Sequence, residues 1–314
     1  MHVSLLVKNY IVAWLRDDED KMKVAWKPFS GQIANVAKLI EGNASEFHNA
    51  SVELTRLQMY SQAYQLLEVG TFRFPSDTDI LGDLLLYGVK CQSLSDIKKH
   101  YEALEKINKS KWSWRAFHFS IEFLMELYKA SSDVTEQEEI SKKIENTLIE
   151  YQEYSKFFED QSNREKCFNL KYEYYILLQK IDKALNALQE AVQEMPGKCP
   201  QCALQLADYY FEAGEYESVI APATIAAMVI DVQHAIKYSY LYFILGASRE
   251  YKIRKEGIAF SEENIRPIYR AYYASLVYTE QDDASRMKNI KNRIRVLEYD
   301  SGISSNIDFS EFSL

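Results

Sequence analysis

Turn-forming residues are scarce in this 314-residue chain, which has only 10 glycines and 6 prolines. Average proteins carry about 7% glycine and about 5% proline. The punctuation that many short strands require is therefore missing, and long helices are favoured. Cysteine is scarce as well. Four in a chain of this length are too few for a disulfide-stapled scaffold, and a chain able to bury a large core does not need one. A reducing, cytoplasmic setting is the expectation. No apolar run approaches the ~20 residues that cross a bilayer, so no membrane partner is expected. The apolar opening MHVSLLVKNYIVAWLRDDED is interrupted by Lys8, lacks a small-residue cleavage site and runs directly into Asp17, Asp18, Glu19 and Asp20. It reads as a buried helix, not a targeting segment. An excess of positive charge is also lacking: 46 acidic against 37 basic residues leave a net charge of -9. That balance disfavours a protein built to coat nucleic acid or an anionic membrane.

What the sequence has is aromatic and apolar side chains in helical register. There are 23 tyrosines and 15 phenylalanines, and from residue 30 onward apolar residues recur at three- and four-residue spacing while strict alternation is nearly absent. The spacing predicts helices over 3–16, 31–41, 45–69, 77–92, 95–108, 112–130, 135–159, 163–179, 182–194, 200–213, 215–229, 233–252, 264–280 and 282–298. Ser76 with Asp79 and Thr135 with Glu138 read as helix starts in which side chains satisfy unpaired backbone N–H groups. Gly70, Gly197 and Gly214 fall where helix stops are expected.

Comparing the chain with itself is more informative than any single helix. Ala184, Leu188, Ala191 and Pro196 have the same spacing as Val219, Ala223, Ala226 and Asp231, shifted by 35 residues, and Tyr175 matches Tyr210 at that shift. A similar ending occurs at Ala63, Leu67, Gly70 and Pro75. The stretch CALQLADYYFEAGEYESVIAPATIAA resembles a tetratricopeptide repeat, with Leu206-Ala207, Tyr210, Gly214, Tyr216, Ala223 and Ala226 at the motif positions. YYILLQKIDKALNALQEAVQEMP resembles the repeat before it. The sequence departs from the motif at Lys171, where leucine is usual, at Val219, where a small residue is usual, and at Pro222 inside the second helix, where a lost N–H and a ring clash cost about 3 kcal/mol or a kink.

The resemblance implies an all-α, right-handed α-α superhelix of helix pairs. Residues 1–44 are expected to form an irregular helical cap, a remnant of a longer chain being one reading of its abrupt start; 45–281 are expected to form the repeat array, and 282–314 a basic capping helix and tail. A single helix pair cannot bury both faces, so successive pairs stack, and Ala184, Ala191, Ala207 and Ala226 allow close backbone approach. The expected function is non-enzymatic, the holding of a partner protein's segment in a concave groove. A peptide- or ligand-sensing regulator is the first alternative and a nucleic-acid-associated helical repeat the second.

In the resemblance register, the inward positions of the first helices are Asn169, Glu173 and Ile176 in one repeat and Gln201, Leu204, Asp208, Phe211 and Glu212 in the next. Glu173, Asp208 and Glu212 would make an acidic floor beside Phe211, favouring a segment that carries lysine or arginine. Some family members clamp a terminal carboxylate with lysine and asparagine at these positions. Leu204 and Asp208 stand at two of them here and do not support that clamp.

Candidate chemistry is thin. Cys199 and Cys202 have the spacing of redox and zinc motifs, but a helix precedes them where a strand is required, and a tetrahedral site needs two more ligands. They read as structural thiols, and no metal or cofactor is expected. The five histidines are scattered, and no catalytic or phosphate-binding motif is present. KSKWSWRAFHF, residues 109–119, mixes basic and aromatic side chains as a single-strand nucleic-acid surface does, but its aromatics also continue a core stripe toward Leu124 and Tyr128. Arg286, Lys288, Lys291, Arg293 and Arg295 surround a helix whose apolar side holds Met287, Ile290, Ile294 and Leu297, the pattern of a terminal cap.

Overall fold

The computed structural model describes residues 1–157, 161–228, 235–279 and 283–307. These residues form sixteen α-helices and two short 3-10 turns, with no strand among them; an isolated backbone bridge joins His2 to Glu41. The chain divides into two compact units, 1–157 and 158–314.

In the first unit α1 (Val3–Leu15), α2 (Glu19–Trp26) and α3 (Ile33–Leu39) precede three helix pairs: α4 (Ala44–Arg56) with α5 (Tyr60–Arg73), α6 (Thr78–Cys91) with α7 (Leu94–Glu105), and α8 (Trp114–Ala130) with α9 (Val134–Ser155). Each helix packs on the next within its pair, and α4, α6 and α8 stack in succession. The second unit repeats the plan with α10 (Gln161–Leu177) and α11 (Ile181–Glu194), α12 (Pro200–Glu212) and α13 (Tyr216–Met228), α14 (Ala235–Lys255) and α15 (Glu262–Tyr278), and closes on α16 (Ala284–Ser301). There α12 lies between α10 and α14.

The alanine rows form the seams between these helices. Ala184, Leu188, Ala191, Val219, Ala223 and Ala226 are all buried, as are Ala63 and Leu67 in the first unit, so matched spacing corresponds to a matched buried face. Asp231, the last member of the row, lies outside the described residues. Lys171, out of pattern as a lysine, reaches Glu190 on the paired helix at 2.6 Å. Helix α13 continues through Pro222, which is buried in it. Gly197 and Gly214 have φ of 72° and 75°, the left-handed region in which glycine carries no Cβ penalty.

Several local expectations are corrected. The span 45–69 is two helices, because Gln58 turns into the left-handed region at φ 59° and the Met59 N–H returns to the Leu54 carbonyl at 3.0 Å. The apolar stripe continues through that turn, and glutamine gives none of the warning that glycine or asparagine would. Gly70 is not a stop but a buried position inside α5, where a Cβ would lie 3.3 Å from Ile80 and from the Phe47 ring. The helix starts are capped by Asp77, which accepts from the Ile80 N–H, and by Asp133, which accepts from Thr135 and Glu136. Ser76 and Thr135 do not serve as the caps. Residues 19–26, assigned no element from sequence, form α2, started by Asp18.

Gly82 sets the separation of α6 and α8. A Cβ there would stand 3.0 Å from the backbone of Arg115 and Ala116, and backbone cannot rotate away as a side chain can. Gly82→Ala is expected to destabilise the protein by about 1–2 kcal/mol, overpacking outweighing the better helix propensity of alanine. A chemical-denaturation midpoint equal to or above that of the parent would show that the two helices have room to separate.

Candidate partner-binding face

Of the first helices of successive pairs in the second unit, α12 packs on both α10 and α14, and α14 shares a cavity with the start of α16. Asn169, Glu173 and Ile176 lie on α10, and Gln201, Leu204, Asp208, Phe211 and Glu212 on α12. Ile176 is 39% exposed, and Glu173, Gln201 and Glu212 are exposed. Asn169 is partly buried between the helices, its Oδ1 accepting from the Cys202 thiol at 3.0 Å and its Nδ2 facing Gln201 Oε1 at 3.5 Å. Leu204 and Phe211 are partly buried and pack against a core that includes Ala203, Ala207, Leu241 and Ile244.

The acidic side chains converge on two tyrosines. The Tyr240 hydroxyl donates to Asp208 Oδ1 at 2.6 Å. Burial, followed by that bond and by the charges of Asp208 and Glu212, raises the Tyr240 pKa above its usual 10, while Arg286 acts against the rise. Burial also raises that of Tyr172, and Asp208 and Glu173 add to it. Of the three carboxylates expected from sequence to form an acidic floor, Asp208 is held by the Tyr240 phenol.

Sequence reasoning missed the far wall. A cavity of about 340 Å³ beside Asp208 is lined by Tyr240, Phe243, Asp283, Ser285, Arg286 and Asn289. The Phe243 ring stands 6.4 Å from that of Phe211, and the Arg293 guanidinium lies 5.9 Å from its centroid. A signal was present in the sequence. Phe243 stands 35 residues after Asp208, as Asp208 stands 35 after Glu173, so the same register carried one repeat further reaches it.

The cysteines of the C-x-x-C stretch are packing groups. Cys167, Cys199 and Cys202 are fully buried. Burial raises the pKa of Cys199 to about 11 and that of Cys167 to about 12, and drives Cys202 higher still, so none supplies a thiolate near neutral pH. Among the described residues no group of three or more His, Cys, Asp or Glu is arranged to hold a metal ion.

Glu165 was not anticipated from sequence. Helix α12 starts at Pro200 after Cys199, which offers no side-chain cap. Buried Glu165, on α10, supplies one from the preceding pair, its Oε1 accepting from the Gln201 N–H at 2.6 Å and the Cys202 N–H at 2.9 Å. A helix start without Ser, Thr, Asp or Asn is itself the clue that its N–H groups are satisfied from elsewhere.

In the first unit the mixed stretch 109–119 uses its rings internally. Trp112 and Phe117 are buried, and Arg115 stacks 4.7 Å from the Trp114 centroid while its Nε lies 3.6 Å from Asp83. Asp83 is also paired with His48 Nδ1, which ties α4, α6 and α8 together through one buried carboxylate. No helix among the described residues is long and apolar enough to cross a membrane.

No family model matches this sequence, and no curated protein does. Among solved structures, the fold is similar to that of a thermophilic TPR protein of Thermus thermophilus, at 18% identity and a TM-score of 0.47, over 65% of this chain and 98% of that one. Paired helices, left-handed glycines between helices of the second unit and buried alanine seams make this chain an all-α protein of stacked helix pairs.

Proposed function

We propose that the protein is a non-catalytic scaffold that holds a segment of a partner protein against the α10–α12–α14 face of its second unit. The observation that carries this reading is Asp208, bound by the Tyr240 hydroxyl beside the Phe211–Phe243 pair, with exposed Glu173 and Glu212 on α10 and α12. Three like charges next to partly exposed aromatic edges form a surface that attracts a cation and anchors an apolar neighbour. The favoured occupant is an extended or helical segment with a lysine or arginine next to an apolar side chain. The cation would meet Asp208 and Glu173, while the apolar side chain would fill the cavity floored by Phe243. Arg286 lines that cavity and Arg293 lies over its Phe243 ring, which disfavours a second cation there.

Two measurements test the reading. Affinity capture from native lysate with mass spectrometry identifies the partner. Titration of that partner, or of basic-apolar peptides from an array, against the Glu173→Lys/Asp208→Lys double variant is expected to show a loss of at least about tenfold, or 1.4 kcal/mol. The loss should shrink as salt is raised. Equal affinity of variant and parent at low salt would remove this face from the binding surface.

A further inference from the structure

The opposite side of α14 carries a different kind of cavity. It has a volume of about 300 Å³, lies between α14 and α15, and is lined by Tyr242, Leu245, Arg249, Pro267, Arg270 and Ala271. Tyr242, Leu245 and Arg249 fall on one face of α14, about half a turn from Tyr240 and Phe243, so this cavity does not share the partner-binding face. Pro267, Arg270 and Ala271 form the facing surface of α15.

Among the described residues the two arginines lack counter-charges. Neither Arg249 nor Arg270 has a described carboxylate oxygen within 4.0 Å, whereas the neighbouring Arg254 and Arg266 are paired with Glu250 and Glu262. Glu250, next to Arg249 in the chain, points elsewhere and accepts from Tyr272 and Arg254. Arg249 is partly buried, and the protein bond it makes is from Nη1 to the Pro267 carbonyl at 3.2 Å. That bond fixes the guanidinium at the cavity wall and leaves further N–H donors for something else. Burial lowers the Arg249 pKa and no nearby carboxylate opposes it. Withdrawing a cation from water without a partner is costly. Tyr242, stacked parallel on Tyr278 at 5.8 Å and 7°, gives the cavity a rigid wall.

We propose that Tyr242, Arg249 and Arg270 form an oxyanion site that takes a phosphate group. Both arginines line one small volume, and two guanidinium forks suit the multiple oxygens and double charge of a phosphate better than the two oxygens of a carboxylate. The volume also leaves room for the atom chain that would carry the phosphate. The ligand is thus free phosphate or a phosphate borne on a side chain, and the chemistry at the arginines is the same for both.

The test is calorimetric titration of the full chain with inorganic phosphate, with N-acetyl-phosphoserine amide and with N-acetyl-serine amide, at constant ionic strength. Saturable binding of phosphate or of the phosphoserine compound, with none of the serine compound, is expected. Arg270→Ala and Arg249→Met are each expected to weaken it by about tenfold or more. Arg270 is exposed, so its replacement leaves the core untouched and keeps the test valid even where Arg249→Met lowers folding yield, which circular dichroism would show. Tighter binding of phosphoserine than of inorganic phosphate assigns the site to a modified side chain, and the reverse assigns it to the free ion. The absence of saturable binding by either phosphate compound, or equal affinity in the parent and the Arg270→Ala chain, overturns the proposal.

Discussion

Replacing Trp112 with alanine is expected to destabilise the first unit by about 3–5 kcal/mol, the range for removing a large aromatic from a closed core. The indole is 1% exposed and heads the fully buried side chains of the molecule. Its N–H donates to the Ile107 carbonyl at 3.1 Å, so truncation also strips a partner from that carbonyl. Its ring stands 5.2 Å from that of Phe117, which in turn stacks on Tyr151 at 5.5 Å and 3°. The loss would therefore loosen the connection before α8 and the α8–α9 pair together. Urea unfolding followed by circular dichroism gives the magnitude, and amide exchange locates it. A loss below about 1 kcal/mol, or faster exchange confined to residues 161–307, would show that the indole does not organise this core.

The second large effect is expected at Glu165. Glu165→Ala removes the shared acceptor of two N–H groups at the start of α12 and is expected to cost about 3 kcal/mol, since a buried donor left without a partner costs about 1–3 kcal/mol. Glu165→Gln keeps an acceptor oxygen and should lose far less. The pair of variants separates capping from bulk. A pH series adds an independent reading. Burial raises the folded-state pKa of Glu165 above its ordinary 4.5, although the Cys202 and Gln201 N–H groups act against the rise. The native state therefore binds this proton more tightly than the unfolded chain does. The contribution of Glu165 is most favourable below the ordinary carboxylate range, and it declines as pH rises from there through the raised value. The glutamine variant should lack this decline. An alanine variant as stable as the parent at all pH values would show that water satisfies the α12 start equally well.

The difference between what was legible and what was not follows the range of the interactions. Helix identity was readable because apolar spacing is local, and the alanine seams were readable because Ala184, Ala191, Ala223 and Ala226 recur at fixed intervals. The Gln58 turn was hidden because its residue type gives no signal, and Gly70 was misread because a glycine that allows close packing looks the same in sequence as one that ends a helix. On the candidate face the α10 and α12 positions followed from the 35-residue register. The bond of Tyr240 to Asp208 did not, because it is set by how α14 lies on α12. The cysteine pair shows the reverse case, in which a spacing suggestive of reactivity is overridden by burial at Cys199 and Cys202.

Composition and periodicity alone determined that this chain is helical, that its helices recur in pairs, and that two of them carry Glu173, Asp208 and Glu212. Those properties depend on residue type and spacing along a single helix, which a linear sequence records in full. The tertiary structure decided that Glu165 caps a helix in the next pair, that Asp208 is held by Tyr240, and that Arg249 and Arg270 meet at a cavity with no described carboxylate between them. Each of these joins groups that are distant in the chain, and a side chain's partner at that distance is set by how one helix lies on another.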